Sequence, residues 1–292
     1  GLPMVQLITG GTLSDADPFP SADTSFTPPT AFGPLAQGST GYQLPGSFGA
    51  FGEESSAAGS SFSLDNNVVF EAGAPTQPLY YANAGAPAAG ELRGVVFLHG
   101  VYTDTAVADP VIALPANEYV TDTTEPAFSS DEFYPPVPFS VRSGLGGAND
   151  TLVLSLGQFK GVANGMTAGR AAGVSAGGVQ RLYDQMSFGT YYSNSPDRNA
   201  ASVISADGVL NPAAGTGEVK VAASDSSGIH RVVVAFTGGD GSWNSADLAY
   251  DAAAQKWTGM IAGTAATQFF VQVVDAAGNV TVNDNKGRYY SL

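Results

Sequence analysis

Apolar and polar residues alternate in short runs along the last third of the chain, a pattern that predicts β-strands. Between positions 268 and 275, Phe269, Val271 and Val273 are apolar while Gln272 points to the opposite face. A period of two is expected of a half-buried strand. A Gly-Asn turn follows, and a second alternating run begins at Val280. The pattern predicts the closing hairpin of a β-sandwich.

Residues 200–292 contain seven such runs, the number of strands in an immunoglobulin-type sandwich. We predict that Val232, Val234 and Phe236 share one face of the third strand, and that Trp243 and Trp257 fill the core or its rim. The seven predicted strands are Ser202–Ile204, Val219–Ala223, Ile229–Phe236, Leu248–Tyr250, Lys256–Ile261, Gln268–Val274 and Asn279–Tyr290.

Residues 61–199 predict another β-domain, a jelly-roll-like or irregular sandwich whose strands are separated by Gly, Pro and Asn turns. Its predicted strands are Phe62–Leu64, Val68–Glu71, Leu79–Tyr81, Gly94–His99, Val111–Leu114, Phe139–Arg142, Thr151–Leu156 and Arg181–Tyr192. Around Val179 to Met186 the apolar spacing fits a helix and a strand almost equally well. The segment Ser193–Asn199 is expected to be the turn between the two domains.

Residues 1–60 are rich in Gly, Pro and Ser, and the first Lys or Arg of the chain is Arg93. Aromatic residues nevertheless recur in this region, which is unlike a disordered linker. We therefore expect an extended arm that lies on its own domain or on a neighbouring copy. Leu2–Thr9 is a strand candidate that could join an exposed sheet edge of another copy, or could be the first strand of its own sheet.

The composition favours an extracellular or cell-surface protein of bacterial type. Only 13% of the residues are charged, while Gly 37 and Pro 18 are abundant, which suits secreted all-β proteins. A net charge of −15 argues against nucleic-acid binding and against anionic lipid, and no run is long enough for a membrane span. The absence of cysteine removes disulfides and thiolate chemistry. The start at Gly1 suggests processing from a precursor.

Three motifs of the last domain carry a family resemblance: Asp225-Ser-Ser-Gly-Ile-His-Arg-Val, Trp257-Thr-Gly, and Phe-Phe-Val-Gln-Val-Val-Asp-Ala-Ala-Gly-Asn-Val from 269 to 280. They resemble immunoglobulin-like modules near the C-termini of large secreted bacterial proteins, including gingipain-like cysteine peptidases and cell-surface proteins. The resemblance covers roughly residues 200–292. It implies an accessory β-module without catalytic residues, because the peptidases need a cysteine nucleophile and this chain has no cysteine.

One motif points to an enzyme. Gly173-Val-Ser175-Ala-Gly177 matches a hydrolase nucleophile elbow, with Asp207 and His230 following in hydrolase order and a His99-Gly100 pair upstream. The elbow needs an apolar strand before it and helices between strands, and the sequence predicts neither. We therefore expect no enzymatic activity and keep a Ser175 esterase as a distant alternative.

Carboxylates are the candidate metal ligands. Calcium prefers oxygen-rich turns, and the candidates are Asp225, Asp240, Asp275 and Asp284. No calcium-loop spacing is present, and Asp225 and Asp275 also suit Asx turns that accept backbone N–H groups. No other cofactor is expected.

Glycan contact is a further candidate. Asn149 and Asn279 begin glycosylation sequons, and the tyrosine pairs at 80–81, 191–192 and 289–290 could be carbohydrate platforms. The alternative is that one tyrosine of each pair is buried and the other exposed.

The sequence thus predicts an all-β chain with an arm (1–60), a β-sandwich (61–199) and an immunoglobulin-like sandwich (200–292). The expected function is structural: a subunit of a surface filament, sheath or layer that contacts other copies of itself. The alternatives are an accessory module of a secreted peptidase and a glycan-binding adhesin.

Overall fold

The fold is all-β, as the sequence predicts, and no helix occurs in the residues that the structure describes. The structure is a computed structural model that describes residues 30–34, 40–47, 51–56, 59–64, 67–69, 71, 73–85, 90–107, 110–113, 128–142, 150–162, 166–167, 170–171 and 178–292. None of the described elements is a helix able to cross a membrane.

Fourteen strands precede the C-terminal region. They are β1 (Thr30–Pro34), β2 (Thr40–Ser47), β3 (Gly52–Ser56), β4 (Gly59–Ser63), β5 (Val68–Val69), β6 (Gln77–Asn83), β7 (Glu91–Ala106), β8 (Ser130–Tyr134), β9 (Phe139–Arg142), β10 (Thr151–Ser155), β11 (Gly157–Gly161), β12 (Met166–Thr167), β13 (Arg170–Ala171) and β14 (Val179–Ser193).

Eight further strands follow. They are β15 (Ser202–Asn211), β16 (Thr216–Ser224), β17 (Ile229–Thr237), β18 (Ser242–Asp251), β19 (Lys256–Ala262), β20 (Gln268–Asp275), β21 (Val280–Asn283) and β22 (Tyr290–Ser291). Six of the seven strand predictions for this region are confirmed with longer bounds, whereas the predicted strand Asn279–Tyr290 is divided by a turn into β21 and β22.

The antiparallel ribbon of β7 and β14 is the centre of the first region. The two strands pair from Glu91 opposite Ser193 to Ala106 opposite Val179, and β2 pairs with the other side of β14. The helix alternative for Val179 to Met186 is therefore wrong, because pairing with β7 on one side and with β11 and then β2 on the other side holds this segment extended. The Val111–Leu114 strand is not formed in its described part, where Ile112 makes only an isolated bridge.

A second sheet, in the order β5-β6-β10-β9, packs against this ribbon and completes the first sandwich. Apolar side chains of β6 and β10 face those of β7 and β14 in one buried cluster. Phe97 stands in its middle, with ring centroids 5.9 Å from Phe139 and 5.5 Å from Phe188. Such packing of alternating apolar residues explains why these segments form strands at all.

The C-terminal region is a second sandwich. One sheet has the order β15-β16-β19-β18 and the other β18-β17-β20-β21, so that β18 belongs to both. This is the strand arrangement of an immunoglobulin-like sandwich. Its core holds Val232, Val234, Phe269, Val271 and Val273, so the predicted faces of β17 and β20 are confirmed.

The two sandwiches share strands and core. β18 pairs with β7 at Ser242–Val101 and Trp243–Gly100. Trp243 is buried against Phe97 and Phe270, whereas Trp257 is only partly buried at the rim of the C-terminal core.

The prediction that β20 is half-buried is wrong, because Phe270, Gln272 and Val274 are also buried. Their face of the strand is covered by the first sandwich, with Phe270 joining its aromatic cluster and Val274 packing with Val96. A sheet buried on both sides cannot be recognised from alternation alone.

Part of the predicted arm is built into the first sandwich. Strands β1 and β2 pair with each other, and β2 pairs with β14 of the same chain. Residues 30–34 and 40–47 thus pair within their own chain. Leu2–Thr9 lies outside the described residues.

Candidate functional site

Two of the four predicted calcium ligands come together, and a third acid joins them. Carboxylate oxygens of Asp197, Asp225 and Asp275 lie within 4.8 Å of one another. Asp197 lies in the segment between β14 and β15, Asp225 in the β16–β17 loop, and Asp275 at the end of β20. The sequence did not single out Asp197, because only the fold brings the connection beside these two loops.

The two predicted acids also form the Asx turns that were expected as their alternative role. The Asp275 carboxylate is buried and accepts bonds from the backbone N–H groups of Ala277 and Asn279, both at 2.9 Å. Asp225 accepts from the backbone N–H of Ser227 at 2.7 Å. Burial raises the pKa of Asp275, bonds from Asn279 and Ala277 oppose that rise, and the charge of Asp225 adds to it.

A cation borders this acidic cluster. Arg93 donates to the carbonyl oxygens of Ser193 and Ser195. Burial and Arg198 lower the pKa of Arg93, whereas Asp275 and Asp197 raise it. The cluster therefore combines three carboxylates with one guanidinium. Calcium at Asp225 and Asp275 stays a prediction, since such an ion needs six to eight oxygen ligands.

The other two calcium candidates do not join this group. Asp240 accepts bonds from the backbone N–H and the hydroxyl of Ser242, in the turn before β18. The backbone carbonyl of Asp284 accepts from the N–H of Tyr289, in the turn before β22. Both acids thus belong to separate turns, and neither is among the three acids that meet at the β14–β15 connection.

The residues of the esterase alternative are dispersed. Ser175 lies outside the described residues. Asp207 is exposed on β15, while His230 is half-buried on β17 in the other sheet of the sandwich. Burial and Arg231 lower the pKa of His230. The His99-Gly100 pair of this alternative lies inside β7 and not in a turn.

The predicted tyrosine platforms are mostly buried. Tyr191 and Tyr192 are both buried, so neither the platform nor the expected alternation applies to this pair. Tyr81 and Tyr289 are buried with partly exposed neighbours, as the alternative predicted. The Asn279 side chain is also buried and donates to Asp275 at 2.8 Å, which leaves this sequon inaccessible in the folded chain.

A shallow groove crosses the outer side of the β5-β6-β10-β9 sheet. It has a volume of about 180 Å³ and is lined mainly by apolar residues, with Tyr81, Arg142, Pro135, Val137 and Phe139 among them. The Arg142 guanidinium lies 5.9 Å from the centre of the Tyr81 ring. The volume is below the roughly 300–1,000 Å³ of typical small-molecule sites.

The outer edge of β15 is a further candidate site. In the described part of the chain β15 pairs with β16 alone, so one side of this ten-residue strand has no neighbouring strand. Ile204 and Val209 on β15 are 69% and 62% exposed, and Met260 on β19 is 57% exposed. Long edges of this kind are templates for pairing with another chain. A bulge between Val203 and Ser205 is the one irregularity in its pairing.

Charges on this face compensate each other. Glu218 pairs with Lys220 at 2.9 Å, and Asp207 lies 3.7 Å from Lys256. Strands β15, β16 and β19 contain two lysines and two acids, so they are neutral in a chain with a net charge of −15. We call the outer side of β15 together with this neutral face the β15 edge.

Comparisons with known proteins give one weak structural neighbour. No family model matches the sequence, and no curated protein matches it. A chain from the structure described as a complex of Porphyromonas gingivalis RgpB pro- and mature domains is 9% identical, with a TM-score of 0.30. The match covers 56% of this chain and 83% of that chain. RgpB is a gingipain, the group that the C-terminal motifs resemble, but a TM-score of 0.30 does not establish a common fold.

Proposed function

We propose that this chain is a non-catalytic, extracellular structural protein that assembles with copies of itself into a surface filament, sheath or layer. The β15 edge carries the proposal. It combines ten residues of one-sided backbone pairing, two exposed aliphatic side chains and no net charge. Natural edge strands are usually short or protected by charges and proline. Over its ten residues β15 has one charged side chain, Asp207, and no proline.

The electrostatics support contact between like copies. A net charge of −15 makes most of the surface repel a second copy, whereas the neutral β15 edge does not contribute to that repulsion. Burying Ile204 and Val209 would add apolar stabilisation to the new backbone bonds. Contact through this edge therefore needs no third component.

Light scattering and electron microscopy of the full chain test the proposal. We expect species larger than one chain, increasing with protein concentration. The double substitution Ile204→Lys and Val209→Lys should shift the protein to monomer, because lysine on an edge opposes strand addition. Val162→Lys is the matched control, since Val162 is 53% exposed on a different part of the surface. A wild-type chain that stays monomeric at every concentration would contradict the proposal.

A glycan-binding adhesin is the second candidate, favoured by the Tyr81–Arg142 groove. The Arg142 guanidinium is exposed at this groove and offers hydrogen-bond donors, and the apolar residues beside it offer surface for a sugar ring. Glycan-array binding that is lost in Arg142→Ala, with unchanged thermal stability, would support it. The remaining alternatives are an accessory module of a secreted peptidase and a Ser175 esterase. Labelling by a fluorophosphonate, lost in Ser175→Ala, would support the esterase.

A further inference from the structure

We propose that the partner of the β15 edge is β15 of a second copy, paired antiparallel about a twofold axis with Val209 opposite the same residue of that copy. This inference rests on the proposed self-assembly and specifies its geometry. A twofold interface uses one patch twice, so the patch must be complementary to itself. The following three features of β15 meet that condition.

The side chains set the register. Asp207, Val209 and Asn211 are exposed along β15, while the residues between them are less exposed. Opposed residues of an antiparallel pair lie on the same face, so exposed residues must face exposed residues. With Val209 against its own copy, Asp207 faces Asn211, so residues 207–211 of the two copies pair. Ile204 then faces position 214 of the other copy, in the turn between β15 and β16. The next register, with Gly208 opposite itself, would place the charged Asp207 opposite the apolar Val209. The register after that would place Asp207 opposite Asp207, and directly opposed like charges destabilise a sheet.

The strand is already held in place on its inner side. A side chain at Gly208 would meet the Phe269 ring at 2.8 Å and the Ser291 carbonyl oxygen at 2.8 Å. At Gly217, which pairs with Leu210, an added Cβ would collide with the Leu292 side chain. Close packing of this kind fixes β15 before a partner arrives, which reduces the ordering cost of association.

The flanking charges allow the two faces to meet. In the twofold arrangement each copy contributes the same neutral group of Asp207, Glu218, Lys220 and Lys256, whose internal pairs are at the surface. The remaining repulsion comes from the net charge of the whole chain, which salt screens. Association through this edge should therefore strengthen as salt rises, the opposite of an interface driven by attraction between opposite charges.

Single cysteines test the geometry directly, because the natural chain has none. Val209→Cys should form a disulfide-linked dimer under mild oxidation, since directly opposed residues lie within the Cα separation that a disulfide bridges. Two controls are Val162→Cys, at a position 53% exposed elsewhere on the surface, and Asp207→Cys, two residues along the same strand. We expect crosslinking of Val209→Cys to exceed both by about tenfold, given effective concentrations near the millimolar range in a paired state.

The other outcomes separate the inference from the proposed function. Preferential crosslinking of Asp207→Cys would overturn the register. Assembly of the wild-type chain without crosslinking at either position would overturn this register. Assembly that persists in the Ile204→Lys and Val209→Lys double variant would overturn the β15–β15 pairing and leave the structural role standing. Loss of assembly in Val5→Pro would favour strand donation by Leu2–Thr9, which the β15–β15 pairing predicts to be dispensable. A wild-type chain that never assembles would remove both proposals.

Discussion

The side chain of Gln272 hydrogen-bonds to both backbone groups of Phe97, 175 positions away in the sequence. Its Oε1 accepts from the Phe97 N–H at 2.6 Å and its Nε2 donates to the Phe97 carbonyl at 2.8 Å. Gln272 is fully buried, and its side-chain amide makes the two bonds that a neighbouring strand would make with the edge of β7. β18 pairs with β7 only at Val101 and Gly100, so this glutamine extends the connection between the two sandwiches.

Replacing Gln272 with Ala should destabilise the chain by about 2–4 kcal/mol, because two buried backbone groups of Phe97 lose their partners. Urea unfolding measures the free energy of unfolding. Gln268→Ala on the same strand is the control, since Gln268 is only half-buried. Equal effects of the two substitutions would contradict a specific role for the Gln272–Phe97 pair.

Among the described residues of the first sandwich, Arg181 is the most deeply buried cation. Its guanidinium bonds to both carboxylate oxygens of Asp104, at 2.8 and 2.9 Å, and lies between the rings of Tyr102 and Phe133 at 3.6 and 3.8 Å. Lysine cannot reproduce either the paired bonds or the stacking.

Arg181→Lys should therefore lower the free energy of unfolding by about 2–3 kcal/mol, in line with the loss of buried charge-assisted bonds. The matched control is Arg198→Lys. Arg198 pairs with Glu91 but its side chain is 63% exposed, so that change should stay within about 0.5 kcal/mol. A tolerated Arg181→Lys would show that the stacked guanidinium contributes little.

His230 should make the chain less stable in mild acid. Burial lowers its pKa from 6.5, and nearby Arg231 lowers it further, although Asp247 acts in the opposite direction. The unfolded chain then binds a proton more readily than the folded chain, so stability is lost as pH falls from above 6.5 through the folded-state pKa. His230→Gln should reduce this loss, measured by urea unfolding at pH 7.5 and at pH steps below 6.5. An unchanged slope would assign the acid sensitivity to other groups.

Removing one negative charge should lessen the repulsion within the acidic cluster and so stabilise the folded chain. Asp225→Asn keeps an oxygen acceptor for Ser227 but takes away a negative charge that raises the pKa of Asp275. In chelator and low salt we expect a gain of roughly 1 kcal/mol, decreasing as salt screens the repulsion.

The same experiment with added calcium tests the predicted ligands. A rise in the unfolding temperature of the wild-type chain that is absent in Asp225→Asn would confirm calcium at this cluster. No rise in either protein would remove calcium from Asp225 and Asp275. Asp240→Asn is the control, because Asp240 lies in a separate turn.

The sequence predicted the strands of the C-terminal sandwich well because their side chains report a local environment. Phe269, Val271 and Val273 alternate since one face of β20 packs on its own domain. The same alternation gives no information about the second face of β20, where Gln272 contacts a residue far away in the chain. The polar character of Gln272 indicated exposure to solvent, whereas its side chain is buried and bonds to the backbone of Phe97.

The acidic cluster and the β15 edge also differ in how much of each the sequence could predict. Asp225 and Asp275 were recognisable from their turns, but Asp197 joins them only through the path of the connection after β14. The β15 edge was not predicted, because the number of partners a strand has is a property of topology. The helix alternative near Val179 failed for a related reason, since pairing with β7 and β11 outweighs a weak local preference.

β18 pairs in succession with β7, β17 and β19, passing from the first sandwich through both layers of the second. If the chain assembles into a filament as proposed, a pull that reaches the β7–β14 ribbon would load β18, the shared core and the Gln272–Phe97 bonds together. The two sandwiches would then yield together instead of unravelling one after the other. A subunit of this design would stretch little before it breaks.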